Sequence, residues 1–466
     1  MSGPRSSGHQ GRGPKRKSSG RRPSGRAGQG GGARSQDQAG VAARRLAVEV
    51  LVRIEEGAHA NAALPAELER SELEPRDRAF ATSLVYGTVR MQRATDWLVG
   101  RYLLGELPDL DPDVRAGLRL GAYQLRFLGT PPHAAVSATV DAVGGRARGM
   151  INAVLRKVAA EDEPVWPSDG VRLSYPDWII KRLRADLGDE RAFAALEEMN
   201  RPGAATERED GYVQDLASQW VAELVDVQPG DIVIDVCAAP GGKATAMAGA
   251  GALVLAGDLN PGRARMLDRN RQRLGFEHNS PEVADRGMRD PGVSDPGVSD
   301  SGASDPGASD PELTDPEVAE PVAGGQRQHG RLMAMVADGA SPPVRRSSAD
   351  RVLVDAPCTG LGALRRRPDA RWRITEDAVG RLVDTQKRLL TAAAELVKPG
   401  GVLVYSVCTL SDAETVGVDE WTRVALKSFE PLDPPDGPWE PHGRGARLLP
   451  QSAGTDGMSI LRLRRN

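Results

Sequence analysis

The sequence has few cysteines and few aromatic residues. Only three of its 466 residues are cysteines, and Phe, Trp and Tyr together make up 4%. Three cysteines do not build a disulfide framework, so we expect reduced thiols in a cytoplasmic protein. The chain also lacks a secretory signal and any apolar run of 18 residues, and we therefore expect no transmembrane helix and no membrane partner. Cysteines this scarce need a local explanation wherever they occur.

Charge is distributed unevenly along the chain. The net charge is −3, yet residues 1–34 contain nine Lys or Arg and no acid, separated by Gly, Ser and Pro. This composition predicts a disordered basic tail over residues 1–40, which either binds a phosphate backbone or only solubilises the protein. Residues 281–328 repeat aspartate among Pro, Gly and Ser. We predict a disordered acidic insertion there rather than a calcium site, because no apolar residue recurs to form a core.

Apart from the tail and the insertion, the chain shows two patterns. Residues 41–162 show helical periodicity, as in "ARRLAVEVLVRIEEG", and no strand pattern, which predicts a small all-α domain. A helical linker is predicted over residues 163–210. Residues 211–466 alternate short apolar runs with helices, which predicts an α/β fold with a Rossmann-like parallel sheet covered on both faces. The predicted strands are residues 232–236, 253–257, 332–336, 352–355 and 402–405.

The first predicted strand leads into a glycine-containing turn, in "DIVIDVCAAPGGKATAMAGA". Gly241 and Gly242 let a ligand approach the backbone and Pro240 shapes the turn, but the spacing fits neither a dinucleotide fingerprint nor a P-loop. Asp258 and Asp338 follow the next two strands. There an acid can accept hydrogen bonds from a ribose or from an adenine amino group, or merely cap a helix. These features in this order predict a nucleoside ligand without a pyrophosphate, and S-adenosylmethionine is the candidate.

Cys358 and Cys408 each follow a predicted strand. Because ligands of parallel sheets bind beyond the carboxyl ends of the strands, we expect both thiols to flank the methyl donor. A free cysteine is often only a small buried hydrophobe, which is our interpretation of Cys237. A thiolate that adds to carbon-6 of cytosine turns carbon-5 into a methyl acceptor, and a second thiol can assist the later elimination. The pattern therefore favours ring-carbon methylation with no metal.

Two further residues fit this chemistry. Asp355 lies three residues before Cys358 and can hydrogen-bond the cytosine edge, which favours protonation at ring nitrogen-3. Lys243, at the glycine turn, can contact the same base or orient Asp355. Methylation of an exocyclic amine would instead favour an Asn/Asp-Pro-Pro-aromatic turn, whereas "DAPC" carries a cysteine.

The motifs "DVCAAPGGK", "GDLN", "DAPCTGLGALRRRPDARW" and "YSVCTLSDAET" resemble the signatures of the Sun/Fmu (RsmB-type) family of RNA cytosine-5 methyltransferases. The helical region "RDRAFATSLVYGTVR", "LRLGAYQLRFL" and "INAVLRKVA" is similar to the NusB-type RNA-binding domain that precedes the catalytic part in this family. The resemblance implies a class I methyltransferase of 16S ribosomal RNA, with Cys408 as nucleophile and Cys358 as the thiol that helps release the product. The donor site it implies consists of Cys237, Ala238, Ala239, Pro240, Gly241, Gly242, Lys243, Asp258, Asp338 and Asp355.

Two further segments are similar to the family, and two others depart from its pattern. "GYVQDLASQWVAELV" is similar to the family's approach to the first strand, and "RRRPDARW" to an RNA-facing loop, although a solvated arginine run is the alternative. The family has an α/β segment where only "RPGAATEREDG" stands here, and "DAET" keeps only Glu414 of its Pro-Glu-Glu-Asn. The residues concerned are Gln214, Asp215 and Ser218 in the first segment and Arg365, Arg366, Arg367 and Trp372 in the second.

Three functional hypotheses remain open from the sequence. The first is methylation of ribosomal RNA, the second is the same reaction on transfer RNA, and the third is a non-catalytic RNA-binding or assembly factor. The helical domain favours ribosomal RNA only by family analogy. A pure binder needs no thiols, so the two cysteines argue against the third hypothesis. We expect a monomer whose partner is RNA.

Overall fold

The computed structural model describes residues 31–204, 206–276 and 330–466, with side chains from residue 40 onward. The predicted acidic insertion and the first 30 residues of the predicted tail lie outside the described residues. Helix α1 begins at Gly31, so residues 31–40, which were predicted as disordered tail, are helical. Extending an existing helix needs no new nucleation, which is the physical reason for the longer helix.

Helices α1 to α7 form a layer of their own. Within this layer the helices of Gly87 and Tyr123 pack so closely that a Cβ on Gly87 would lie 2.0 Å from the Tyr123 ring, so a larger residue would displace that ring. Within residues 31–160 the structure contains helices and no strand, as predicted. The helices are α1 Gly31–Glu55, α2 Ala60–Arg70, α3 Pro75–Arg90, α4 Gln92–Gly100, α5 Pro112–Arg126, α6 Pro132–Val143 and α7 Arg148–Ala160.

Three more helices join this layer to the rest: α8 Asp169–Arg172, α9 Asp177–Leu187 and α10 Asp189–Glu198. Their apolar residues share a buried cluster with Leu361, Leu364 and Leu410. Leu361 and Leu364 follow Cys358 in the chain and Leu410 follows Cys408. These helices therefore pack against the two loops that carry the cysteines.

The described residues from 211 to 466 are built on one mixed sheet, whose strands are numbered in chain order. The strands are β1 Ile232–Asp235, β2 Leu253–Asp258, β3 Arg331–Val336, β4 Ala349–Asp355, β5 Val397–Val407, β6 Phe429–Pro431, β7 Glu440–His442, β8 Gly445–Leu448 and β9 Met458–Arg465. Their order in the sheet is β3-β2-β1-β4-β5-β9-β8-β7, with β6 beside β9. The five predicted strands are confirmed as parallel neighbours, with ends shifted by up to five residues. The helices are α11 Leu216–Leu224, α12 Gly242–Gly249, α13 Pro261–Arg273, α14 Ala370–Arg373, α15 Ala378–Leu396, α16 Val416–Ala425 and α17 Pro450–Ala453.

The antiparallel strands β6 to β9 were not predicted. Strands β6 and β7 have only three residues each, too few to establish a period-two pattern. The longer β9 pairs antiparallel with β5. Its "ILRLR" segment alternates apolar and charged residues as a strand does, but the arginines interrupt the apolar run by which the other strands were recognised. Strand β9 extends the sheet past β5, so β5 is not an edge.

Candidate active site

The two sulfurs that the sequence singled out lie side by side. Strands β4 and β5 are parallel neighbours, so their carboxyl ends are adjacent. Cys358 follows the end of β4 and Cys408 follows the last residue of β5. Their Sγ atoms are 3.4 Å apart, within hydrogen-bonding distance for sulfur. The predicted convergence of the two thiols is confirmed.

The shared hydrogen bond makes the two thiols unequal. The bond from Cys358 lowers the pKa of Cys408 below its ordinary value, although burial acts in the opposite direction. The same bond, then burial, raises the pKa of Cys358 well above its ordinary value. The shared proton therefore stays on Cys358, and Cys408 is the thiol that ionises more readily.

A partly buried ion pair lies at the same end of the sheet. Lys243 Nζ donates to Asp355 Oδ2 over 2.6 Å, and Ser406 Oγ donates to the other carboxylate oxygen over 2.6 Å. Burial lowers the pKa of Lys243, but the charge and hydrogen bond of Asp355 outweigh it, so the net shift is upward. Lys243 was predicted either to contact the target base or to orient Asp355, and in the structure its ammonium group binds Asp355. Ser406, inside β5, is a partner that the sequence analysis did not identify.

Asp235, at the end of β1, is a second carboxylate that the sequence analysis did not identify. It is 1% exposed. Burial first, and then the charge of Asp355, raise the pKa of Asp235 to about 7. In the sequence, an acid at the end of an apolar run indicates only where the strand ends. The packing shows that the carboxyl group of Asp235 interacts with the charges of Asp355 and Lys243.

We expect the stability of the protein to depend on the ionisation of Asp235. Because its folded pKa is raised, its stabilising contribution is complete below about pH 4 and is lost as the pH rises through about 7. The free energy of unfolding of the wild type should fall between pH 4 and pH 8 by up to about 4 kcal/mol more than that of Asp235→Asn. Urea titrations at several pH values measure this, with the exposed Asp384→Asn as control. Equal pH profiles of the wild type and Asp235→Asn would contradict the prediction.

The predicted glycine turn is rigid. Gly241 has φ +110°, and a Cβ there would lie 2.6 Å from Leu267. The Ala238 amide donates to the carbonyl of Gly257, while carbonyls of the turn accept from helix α13. The bonds from α13 run from Arg263 to the Ala239 carbonyl and from Asn270 to the Pro240 carbonyl.

Cys237 lies at the start of this turn. Burial raises the pKa of Cys237, so its thiol stays protonated.

The two predicted acids lie at the carboxyl ends of β2 and β3, which are paired beside β1. Asp258 is 6% exposed and accepts from the Asn260 amide over 3.0 Å. Asp338 is exposed and accepts from the Ala340 amide over 2.9 Å. Neither is a helix N-cap, since Asn260 caps α13 and no helix follows Asp338 directly. Both carboxylates have remaining acceptor capacity for a ligand.

The segment from Arg208 to Ser218 packs onto the glycine turn. Arg208 donates to the Gly242 carbonyl and to Thr245 Oγ1, and a Cβ on Gly242 would meet Gln214 at 2.8 Å. Asp215 caps α11 through the Ala217 amide. Ser218 lies half-buried in the first turn of α11. The segment therefore braces the turn.

The prediction of an RNA-facing "RRRPDARW" loop is wrong for two of its residues. Arg365 is 4% exposed and donates to the carbonyls of Pro202 and Thr455. Trp372 Nε1 donates to the Val89 carbonyl of α3, so the indole packs against the helical layer. Because the loop lies between two layers, its side chains are used for docking. Arg366 and Arg367 are both exposed, and Arg366 pairs with Asp456 and Asp215.

The side chain of Arg371 is the centre of this docking contact. It is fully buried, and its guanidinium lies 3.9 Å from the centroid of the Tyr175 ring. It donates to the carbonyls of Arg90, Ser174 and Leu364 and to the Asn200 side chain. Burial lowers the pKa of Arg371 to about 10. The helical layer is thus fixed directly to the chain that follows Cys358.

Fold and site together define a class I methyltransferase: a parallel sheet in the order 3-2-1-4-5, a glycine turn after β1 and acids after β2 and β3. An all-helical domain precedes it. Among the described helices of residues 31–276 and 330–466, none has the length and apolarity to cross a bilayer.

Comparison with known proteins specifies the family. Residues 41–160 match the NusB family model, and residues 222–293 and 325–464 match the model for the 16S rRNA methyltransferase RsmB/F. Ribosomal RNA small subunit methyltransferase B of Thermus thermophilus is 34% identical over 455 residues, which cover 91% of this chain and 97% of the relative. The protein of that name from Pseudomonas syringae is 28% identical over 495 residues, covering 90% and 96%. The chain belongs to the RsmB/F family of rRNA methyltransferases.

One solved structure supports the fold over nearly the whole chain. The crystal structure of PH0851 has a TM-score of 0.66 at 21% identity and covers 90% of this chain and 98% of its own. At this identity the likeness concerns the fold alone.

Proposed function

We propose that this chain is an S-adenosylmethionine-dependent RNA (cytosine-5)-methyltransferase of 16S ribosomal RNA that forms a covalent adduct between Cys408 and cytosine carbon-6. The observation that carries the proposal is the pair of sulfurs 3.4 Å apart. The Lys243–Asp355 ion pair lies at the same sheet edge. Methylation of a ribose or of an exocyclic amine requires no thiol, whereas carbon-5 of cytosine becomes nucleophilic only after addition at carbon-6. The names of the relatives support ribosomal RNA as substrate.

The residues around the glycine turn suit the proposed methyl donor. Asp258 and Asp338 have acceptor capacity for ribose hydroxyls and an adenine amino group, and Gly241 keeps the turn free of a side chain. The donor, when bound, supplies a methyl group activated on a sulfonium. The residues that we propose to hold it are Cys237, Ala238, Ala239, Pro240, Gly241, Gly242, Lys243, Asp258, Asp338 and Asp355.

In the proposed reaction the Cys408 thiolate adds to carbon-6 of the target cytosine. Electron density moves through the ring toward nitrogen-3, which takes a proton from solvent and returns it when the product is released. The carboxylate of Asp355 accepts a hydrogen bond from the protonated nitrogen and so stabilises that form. Lys243 and Ser406 hold the carboxylate in place and prevent it from rotating. These residues therefore prepare carbon-5 to accept the methyl group.

Release of the product requires two bonds to break. The proton on carbon-5 leaves to a base, the carbon-6–sulfur bond breaks, and its electrons return to Cys408 as the carbon-5–carbon-6 double bond reforms. Cys358 lies next to the sulfur that must leave. The hydrogen bond to Cys408 is the largest cause of the raised pKa of Cys358, and that cause is removed once Cys408 is bound in a thioether. Cys358 can then lose its proton to solvent and accept the carbon-5 proton as the base. We assign Cys358 to elimination on this geometry.

The domain division proposed from the sequence gives each part a role. Residues 41–162 form the NusB-like RNA-binding domain, residues 163–210 the linker and residues 211–466 the methyltransferase domain. The NusB match over 41–160 and the docking of this layer onto the loop after Cys358 support the division. RNA bound by the helical domain would then lie close to the catalytic cysteines.

Incubation with radiolabelled methyl donor and separate pools of 16S ribosomal RNA and transfer RNA tests the proposal. We expect label in 16S ribosomal RNA and recovery of 5-methylcytidine after nuclease digestion. Bisulfite sequencing of RNA from cells with and without the gene then maps the target. Label in transfer RNA alone would favour the alternative substrate. Transfer to neither RNA, with RNA binding intact, would favour the non-catalytic binder.

A further inference from the structure

We propose that Glu414 is a positioning residue: its buried carboxylate joins the loop after Cys358 to the loop after Cys408 and so sets the separation of the two sulfurs. The proposal rests on the proposed two-cysteine chemistry. Glu414 lies in the 3₁₀ helix Asp412–Glu414, which follows β5, and is 0% exposed. Its carboxylate forms no hydrogen bond with either sulfur and acts through Thr359 and Thr409.

The hydrogen bonds of this carboxylate span both loops. Oε1 accepts from the Thr359 amide over 2.9 Å and from Gln386 Nε2 over 3.1 Å. Oε2 accepts from the Thr359 hydroxyl over 2.5 Å and from the Thr409 hydroxyl over 3.0 Å. The two hydroxyl oxygens are themselves 2.8 Å apart. Thr359 and Thr409 therefore share one carboxylate oxygen.

Each threonine is the residue directly after a catalytic cysteine, so its Cα lies about 3.8 Å from that of the cysteine. Fixing the two hydroxyls against one carboxylate therefore limits how far the two sulfurs can separate. Backbone bonds also join the two segments, from Gly362 N to the Cys408 carbonyl and from Ala356 N to the Ser406 carbonyl, but neither involves a residue directly after a cysteine. The carboxylate is the contact that acts on both residues after the cysteines at once.

Stability alone does not favour this arrangement. The hydrogen-bond donors that contact the carboxylate are neutral groups, and burial raises the pKa of Glu414. A buried acid with only neutral partners is costly relative to an uncharged side chain. The negative charge also disfavours a thiolate at Cys358, which adds to the asymmetry between the thiols.

Glu414→Gln tests the proposal, with the exposed Glu420→Gln on α16 as the matched control. We expect Glu414→Gln to lower methyl transfer to 16S ribosomal RNA by about 100-fold, because a displacement of about 1 Å has that effect. The dissociation constant for the methyl donor should stay within about twofold, since the proposed donor residues are held by other elements. Glu420→Gln should match the wild type in both measurements.

A second measurement reports the sulfur geometry without catalysis. Diamide accepts two electrons and two protons from the thiols and leaves a Cys358–Cys408 disulfide, which mass spectrometry detects. This reaction should be slower in Glu414→Gln than in Glu420→Gln by on the order of tenfold, because disulfide formation depends on sulfur approach. If the wild type methylates no RNA, the proposed function fails while this rate still tests the position of the sulfurs.

The pair Thr409→Val and Thr409→Ser decides the question if Glu414→Gln does not fold. Valine keeps the shape but removes the hydroxyl, whereas serine keeps it, so we expect slow disulfide formation in Thr409→Val and recovery in Thr409→Ser. Wild-type disulfide formation and methyl transfer in the folded Glu414→Gln variant, or in Thr409→Val, would overturn the proposal.

Discussion

Cys408→Ala abolishes methyl transfer to RNA in the proposed mechanism, with an expected loss of at least about 10⁴-fold in single-turnover rate. The reason is that carbon-5 of cytosine has no other route to nucleophilic character at this site. Cys358 is not expected to replace it, because its sulfur lies 3.4 Å from the position of the Cys408 sulfur and burial still raises its pKa. The measurement is transfer of labelled methyl groups to 16S ribosomal RNA under single-turnover conditions.

The control for Cys408→Ala is the dissociation constant for S-adenosylmethionine. It should stay close to the wild-type value, since the donor is proposed to bind at the ends of β1, β2 and β3. A loss of donor binding together with activity would show that the substitution disturbed the sheet edge. Activity within tenfold of the wild type would contradict the assignment of Cys408 as nucleophile.

Cys358→Ala is expected to accumulate the covalent RNA adduct. Attack by Cys408 remains possible, but elimination loses its partner, so the species resistant to denaturation should increase by at least about tenfold over the wild type. Gel electrophoresis of labelled RNA in the presence of detergent measures it. The double variant Cys358→Ala/Cys408→Ala should form no adduct, which identifies the sulfur that is attached.

The same substitution has a consequence for pH dependence. The hydrogen bond from Cys358 lowers the pKa of Cys408, so its removal should raise that pKa. Adduct formation in Cys358→Ala should then require a higher pH than in the wild type. Equal adduct levels in the two single variants would reject the division of labour between the thiols.

The five parallel strands could be predicted because each is a short apolar run between polar turns, and that pattern is local. The positions of both cysteines relative to the strands followed from the same pattern. Strands β6 and β7 could not be predicted, because three residues carry no period. The docking of Trp372 against Val89 joins positions 283 residues apart, and a basic, aromatic loop has the same composition whether it faces RNA or another layer.

Two thiols, two acids and a glycine turn could each be assigned to a strand end from the amino-acid pattern alone. Packing between distant segments places the sulfurs 3.4 Å apart, pairs Lys243 with Asp355 and brings Glu414 into contact with the loops after both cysteines. This division arises because local pattern fixes the position of a residue along its own strand. Distances between strand ends depend on pairing register and packing between segments distant in sequence, such as the 50 residues that separate the two cysteines.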